Sequence, residues 1–325
     1  MAALAILLVG GFCAFLMGFA ANQGGTCAVA AARELVERRR ARLLAGFMLA
    51  ASTGGMIYLP AAWACGGSAH VVGEVTVGLP LLAGAVLLGV GAMVNGACLL
   101  GSLWRLGNGE FRLLALPAGL AIGDAIVVRD FPALLPELRA NSWDRPGVGG
   151  ALFVATLLPL LIASRFWLRG REAPSASGRW RLSNAMVFIG LSGALLFLLQ
   201  PSATYADLVR RSIAPSMATT VAGLGGYAAA ALTVVGAMMS AIRAGAFRPR
   251  WPAPAALGRT IAGGTLMAAG ASLIPGGNDA LLLAAIPGGS WSGAVAYAIM
   301  TTTVLGLVFI LRRSARILKR VTGGS

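Results

Sequence analysis

The chain alternates long apolar runs with short polar stretches. About 20 apolar residues suffice to cross a bilayer as a helix. Nine runs approach that length, near residues 2–21, 42–63, 75–95, 112–128, 148–168, 183–200, 217–242, 257–274 and 291–311. Backbone polar groups in hydrocarbon must be satisfied within their own segment, so the runs predict helices. The first run is apolar from its start and carries no basic leader, which reads as a span and not as a cleaved signal. Four shorter stretches, 24–36, 96–107, 201–213 and 276–287, fit no full span. Each begins at a break containing Gly or Pro and continues as a brief apolar or amphipathic helix.

The order of these pieces repeats. Residues 1–128 run span, short helix, span, span, short helix, span, and residues 183–311 run the same way. Gln23-Gly-Gly-Thr-Cys27 falls where Gln200-Pro-Ser-Ala-Thr204 falls, and Asn95-Gly-Ala-Cys98 falls where Pro275-Gly-Gly-Asn278 falls. The span at 148–168, within a linker covering 129–182, puts the second half on the opposite face. The expected fold is therefore all-α and integral to the membrane: about nine spans and four short interrupted helices in two inverted-topology repeats. Residues 312–325 follow as a basic cytoplasmic tail. Many transporters use inverted repeats and place their solute near the midplane, on interrupted helices. Self-similarity of Ala/Gly/Leu-rich sequence by chance is the competing explanation.

Composition agrees with a bundle in lipid. Hydrophobic residues make up 58% of the chain and charged residues 11%, too few for a soluble domain's surface. A net charge of +15 would suit a nucleic-acid binder. The basic residues instead fill short stretches between apolar runs, which argues against a nucleic-acid partner. With nine spans, 21 Lys and Arg fall on the face reached after the first span and 5 on the other. The positive-inside rule then puts the N-terminus outside and the C-terminus in the cytoplasm.

Candidate chemistry gathers at the helix breaks. A helix N-terminus exposes N–H groups and a partial positive charge, a ready anion site. Cys27 and Cys98 open the first two short helices. Their thiols can donate weak hydrogen bonds to an anion, or serve as small buried hydrophobes. Gln23, Asn95, Gly96 and Thr204 stand at the breaks, able to contact a solute or to satisfy freed backbone. Asn278 and Asp279 begin the fourth short helix, and Asp279 either caps that helix or carries a proton. Arg105 either draws anions to a pore mouth or snorkels to water. The cysteines at 13, 27, 65 and 98 form no C-x-x-C pair, and one His is too few for a usual zinc site, so neither a metal nor a cofactor is expected. No G-x-x-x-x-G-K-[ST] loop occurs, and no catalytic role is expected.

Three motifs resemble the YeeE/YedE family of sulfur-transport membrane proteins. They are Gly18-Phe-Ala-Ala-Asn-Gln23-Gly-Gly-Thr-Cys27, Gly89-Val-Gly-Ala-Met-Val-Asn95-Gly96-Ala-Cys98-Leu-Leu-Gly101 running on to Arg105, Gly107 and Gly109, and Gly270-Ala-Ser-Leu-Ile-Pro275-Gly276-Gly277-Asn278-Asp279. The second is the most specific. The resemblance implies an hourglass-shaped bundle in a bacterial inner membrane. It implies uptake of thiosulfate or a related sulfur-containing anion, with Cys27 and Cys98 lining the path. Where the best-known thiosulfate carriers place a third cysteine, this chain has Asn278-Asp279, and Thr204 also lacks a thiol. That departure opens alternatives: a thiol or sulfur-transfer protein, or a selenium or persulfide-type transporter working with a cytoplasmic sulfur carrier.

Overall fold

A computed structural model describes residues 2–65, 71–172, 179–201, 206, 208–210 and 221–322, with side chains described within 4–316. The long helices are α1 (Ala2–Gly24), α3 (Arg42–Ala64), α4 (Leu79–Asn95), α6 (Leu116–Asp130), α7 (Val148–Arg169), α8 (Leu182–Leu199), α9 (Val221–Arg243), α10 (Pro254–Ser272) and α12 (Trp291–Thr322). Between them lie the short helices α2 (Ala28–Arg38) and α5 (Leu99–Gly107), and α11 (Asn278–Ala280) continued by a π turn at Leu281–Ala285. Among the described residues there is no strand, only isolated bridges at Glu74–Arg139 and Glu110–Arg250.

Among the described residues, eight segments are long and apolar enough to cross a membrane. The ninth expected span, 257–274, does form a helix, but α10 falls short on apolarity. Arg259, Thr260 and a run of small residues dilute it, and it lies packed between α4 and α6. Several boundaries also shift. Pro80 starts α4 only at Leu79, after an extended stretch, because Pro suits the first helical positions. The last helix continues to Thr322 and takes Arg312, Arg313 and Arg316 with it. Arg312 there donates to the Val36 carbonyl, tying α12 to α2. The third short stretch falls largely outside the described residues, although 208–210 are helical.

The helices pack in recurring pairs. α1 lies on α9 and α8, and α3 lies on α8 and α7. α4 crosses α10, α10 also packs on α6, and α4 packs on α12. α5 sits against α9, and the π turn sits against α3, α8 and α12. Small residues let these backbones approach. A Cβ on Gly18 would stand 1.9 Å from the Thr233 carbonyl oxygen, and one on Gly236 would stand 2.0 Å from that of Phe15, so α1 and α9 touch backbone to backbone. Buried Ala, Leu and Met fill the space around the short helices, which therefore end deep in the protein.

Candidate functional site

The chain breaks after α1 and after α4 share one design. Gly25 and Gly96 take left-handed φ values of 60° and 78°, which a side chain would disfavour, and each turn delivers a cysteine to the N-cap of the next helix. Cys27 caps α2 in an extended conformation, and Cys98 caps α5 with its sulfur accepting from Gly101 N–H at 3.4 Å. The Ala28 N–H donates to the same sulfur at 3.4 Å, so one thiol serves the N-termini of two helices. The Cys98 thiol donates to the Cys27 sulfur at 3.7 Å. Both side chains are buried, at 3% and 2% exposure. Gly101 makes this approach possible: a Cβ there would lie 2.7 Å from the Cys27 sulfur and 3.3 Å from that of Cys98.

The second half reaches the same point. Gly276, at φ 101°, turns the chain into α11. The Asn278 side chain accepts from the Leu99 N–H at 3.0 Å, joining α11 to the start of α5. Asp279 is buried in the first turn of α11, while Gly277 holds the N-cap position. Asp279 therefore does not act as the N-cap that the sequence suggested, although an acid in the first turn still suits the helix dipole. Thr204 lies outside the described residues.

Polar residues brace the two breaks. Gln23 donates to Ser240 at 3.0 Å and accepts from the Trp180 N–H at 2.9 Å. Ser240 donates to Asn22, which donates in turn to Asn108 at 2.7 Å. Asn95 donates to the Ala97 carbonyl at 2.8 Å and to Ser102 at 2.9 Å. Trp104 donates to the Thr26 carbonyl at 2.7 Å. Gln23 and Asn95 thus hold the turns in place. Asn108, Ser102, Ser240 and Trp104 escaped the sequence reading as site residues. The polar Ser240 inside an apolar run was the one signal pointing to them.

Two cavities adjoin these breaks. One, of about 230 Å³, is lined by Asn95, Gly96, Arg33, Arg105, Arg112 and Arg259. Arg105 there donates to the Gly96 carbonyl at 2.8 Å and pairs with Glu110 at 3.1 Å, so it neither snorkels freely nor stands alone. The other, of about 370 Å³, adjoins Pro275 and Gly276 and is lined also by Arg210, Ser272 and the loops around Gly73 and Leu138. Asp124, 1% exposed, accepts from Ser272 at 2.6 Å and pairs with Arg210 at 3.5 Å.

A bundle with eight segments, among the described residues, long and apolar enough to cross a membrane, interrupted by short helices that meet deep inside it, defines a multi-pass membrane protein. A family model described as sulphur transport matches residues 23–306. The chain belongs to this family, in agreement with the resemblance of its motifs. It is a membrane protein of sulfur transport, and the match spans both cysteine breaks and the Pro275-Gly276 break. No curated protein matches the chain.

Proposed function

We propose that the protein is a permease that takes up thiosulfate or a closely related sulfur-containing anion through a neck formed by Cys27, Cys98 and Asn278. The observation that carries this reading is the 3.7 Å pair of thiols at the N-termini of two short helices. In the arrangement described, the neck is closed. The Cys98 sulfur accepts the Ala28 and Gly101 N–H groups, and Asn278 accepts that of Leu99. An arriving anion is a stronger acceptor than a thiol or an amide oxygen. It displaces the sulfur and the amide, takes the freed N–H groups, and accepts S–H bonds from the two cysteines. Neutral thiols suit this task because thiolates would repel the solute.

The wider architecture in this proposal is an hourglass of two inverted repeats, with α10 as the ninth span. Three features support it. The packing of α1 on α9 has its counterpart in that of α8 on α3, and the packing of α10 on α6 has its counterpart in that of α4 on α12. Gln23 stands ten residues before Arg33, as Gln200 stands ten before Arg210. One cavity pairs Arg33 with the Asn95-Gly96 break, and the other pairs Arg210 with the Pro275-Gly276 break. In this proposal the membrane is a bacterial inner membrane, as the family resemblance implies, and the arginine bias supports a first cavity on its cytoplasmic side, with the N-terminus outside and the C-terminus inside.

The test is uptake of radiolabelled thiosulfate into liposomes containing the purified protein, beside Cys27→Ala and Cys98→Ala. Loss of uptake in both folded variants supports the proposal, and uptake that persists in both removes the thiols from the path. The close thiol pair also favours a second reading, sulfur transfer to a cytoplasmic sulfur carrier. A persulfide found on either cysteine during turnover would favour that reading over permeation.

A further inference from the structure

We propose that the cavity beside Asn95 and Gly96 is a binding site for one small divalent oxyanion, separate from the thiol neck. Four arginines line it, and they come from distant parts of the chain: Arg33 from α2, Arg105 from α5, Arg112 from the turn before α6, and Arg259 from α10. Glu110 is the carboxylate paired within this group, bridging Arg105 at 3.1 Å and Arg112 at 3.4 Å. Those two guanidinium groups are held further by backbone carbonyls and by the Thr260 hydroxyl. Arg105 donates to the Gly96 carbonyl, and Arg112 donates to the Asn95 carbonyl at 2.9 Å and to Thr260 at 2.9 Å. They form a fixed, oriented floor.

Arg33 and Arg259 differ. Neither makes a hydrogen bond or ion pair with another described residue. The acids near Arg33 form no ion pair with it. Glu34 is engaged by Arg42 at 2.9 Å and by the Leu43 N–H at 2.9 Å, and Glu37 forms no ion pair among the described residues. Four guanidinium groups against one carboxylate leave a surplus of three positive charges around a space of about 230 Å³. Such crowding costs free energy through like-charge repulsion, and a dianion offsets it. Guanidinium forks match the oxygen pairs of sulfate, thiosulfate or phosphate. At about 30 Å³ per water, the space holds roughly seven waters, enough for a tetrahedral oxyanion that keeps part of its shell.

Binding here does not depend on the permeation reading. Only the site's use rests on it, as the place where a released anion is held after passing the neck. The chemistry is shared by a free sulfur oxyanion, free phosphate and the phosphate of an anionic lipid.

The experiment is equilibrium dialysis of radiolabelled sulfate and thiosulfate against the purified full chain in a neutral detergent. The wild type and Cys65→Ala, changed at the exposed end of α3, should bind alike. Arg33→Gln and Arg259→Gln should each weaken binding about fivefold, and the double variant about 25-fold, at about 1 kcal/mol per exposed ion contact. Displacement of the label by phosphate marks a soluble ligand, and displacement by short-chain phosphatidic acid alone marks a lipid one. Melting temperatures identify any variant that fails to fold, and Arg33→Lys with Arg259→Lys then reports the effect of changed fork geometry. The proposal is overturned if the wild type binds no dianion or if the folded arginine variants bind like wild type. Liposome uptake measured in parallel separates the two readings, since dianion binding without transport would refute permeation and leave the site standing.

Discussion

Replacing Gly101 with Ala tests the neck while keeping both thiols. The new methyl would sit 2.7 Å from the Cys27 sulfur, 3.0 Å from its Cβ and 3.3 Å from the Cys98 sulfur. The shortest of these is at least 0.7 Å inside ordinary contact, which begins near 3.4 Å. The site has little slack: Cys27 and Cys98 are both buried, and Cys98 is tied to the N–H groups of two helices. Overpacking of this kind costs about 1–3 kcal/mol. If the strain falls on the conformation that admits the anion, uptake drops by roughly 5- to 150-fold. The same clash should appear in stability. Gly101→Ala should lower the melting temperature of the detergent-solubilised protein, and should lower it less in a Cys27→Ala background, where the sulfur is gone. The coupling between the two substitutions isolates the methyl–sulfur contact. A folded Gly101→Ala protein with wild-type uptake would refute the claim that solute passes between these sulfurs. Equal destabilisation with and without the Cys27 sulfur would refute the packing argument itself.

Other consequences follow from the same geometry. Two thiols 3.7 Å apart suit a soft divalent ion, so micromolar Hg²⁺ should block uptake, excess dithiothreitol should restore it, and Cys65→Ala, whose thiol lies away from the pair, should be blocked alike. Asp124→Ala removes the acceptor for Ser272 and Arg210 and should cost about 1–3 kcal/mol of stability, read as a lower melting temperature. Glu110→Gln should loosen Arg105 and Arg112 and strengthen dianion binding in dialysis, whereas weaker binding would contradict the charge argument for that cavity. Cys65, exposed at the end of α3, should react with an impermeant maleimide applied outside intact cells, while Cys27 and Cys98 should not. Labelling of Cys65 only after permeabilisation would reverse the proposed orientation.

Much of the bundle was legible because lipid imposes one simple demand, about 20 apolar residues in a row. The demand blurs at α10, where Arg259, Thr260, Gly263 and Gly264 lower the apolarity of a helix that packs between others. The cysteine breaks were legible too. Gly25 and Gly96 mark turns that need left-handed backbone, and the cysteine two residues beyond each must begin the next helix. Their meeting was not legible, since nothing in the spacing of Cys27 and Cys98 along the chain sets a 3.7 Å distance between them. The bracing network was hidden for a similar reason. Asn22 and Gln23 end α1, Ser240 belongs to α9 and Asn108 caps the end of α5, and only the packing of these three helices on one another brings them together. At Asp279 the sequence offered a cap or a proton carrier, and the tight turn at Gly276 leaves Gly277 as the residue with the extended N-cap conformation. Counting arginines gave the basic face, while the fixing of Arg105 and Arg112 by Glu110 depends on the turn between α5 and α6.

The central claim is that a sulfur-containing anion crosses between the two sulfurs. Its most direct measurement is radiolabelled thiosulfate uptake into liposomes by the wild type, Cys27→Ala, Cys98→Ala and the double variant, with sulfate as the comparison anion. The wild type should take up thiosulfate, and every folded cysteine variant should lose that uptake. Uptake equal to that of empty liposomes by folded wild-type protein, or undiminished uptake by the double variant, would contradict it.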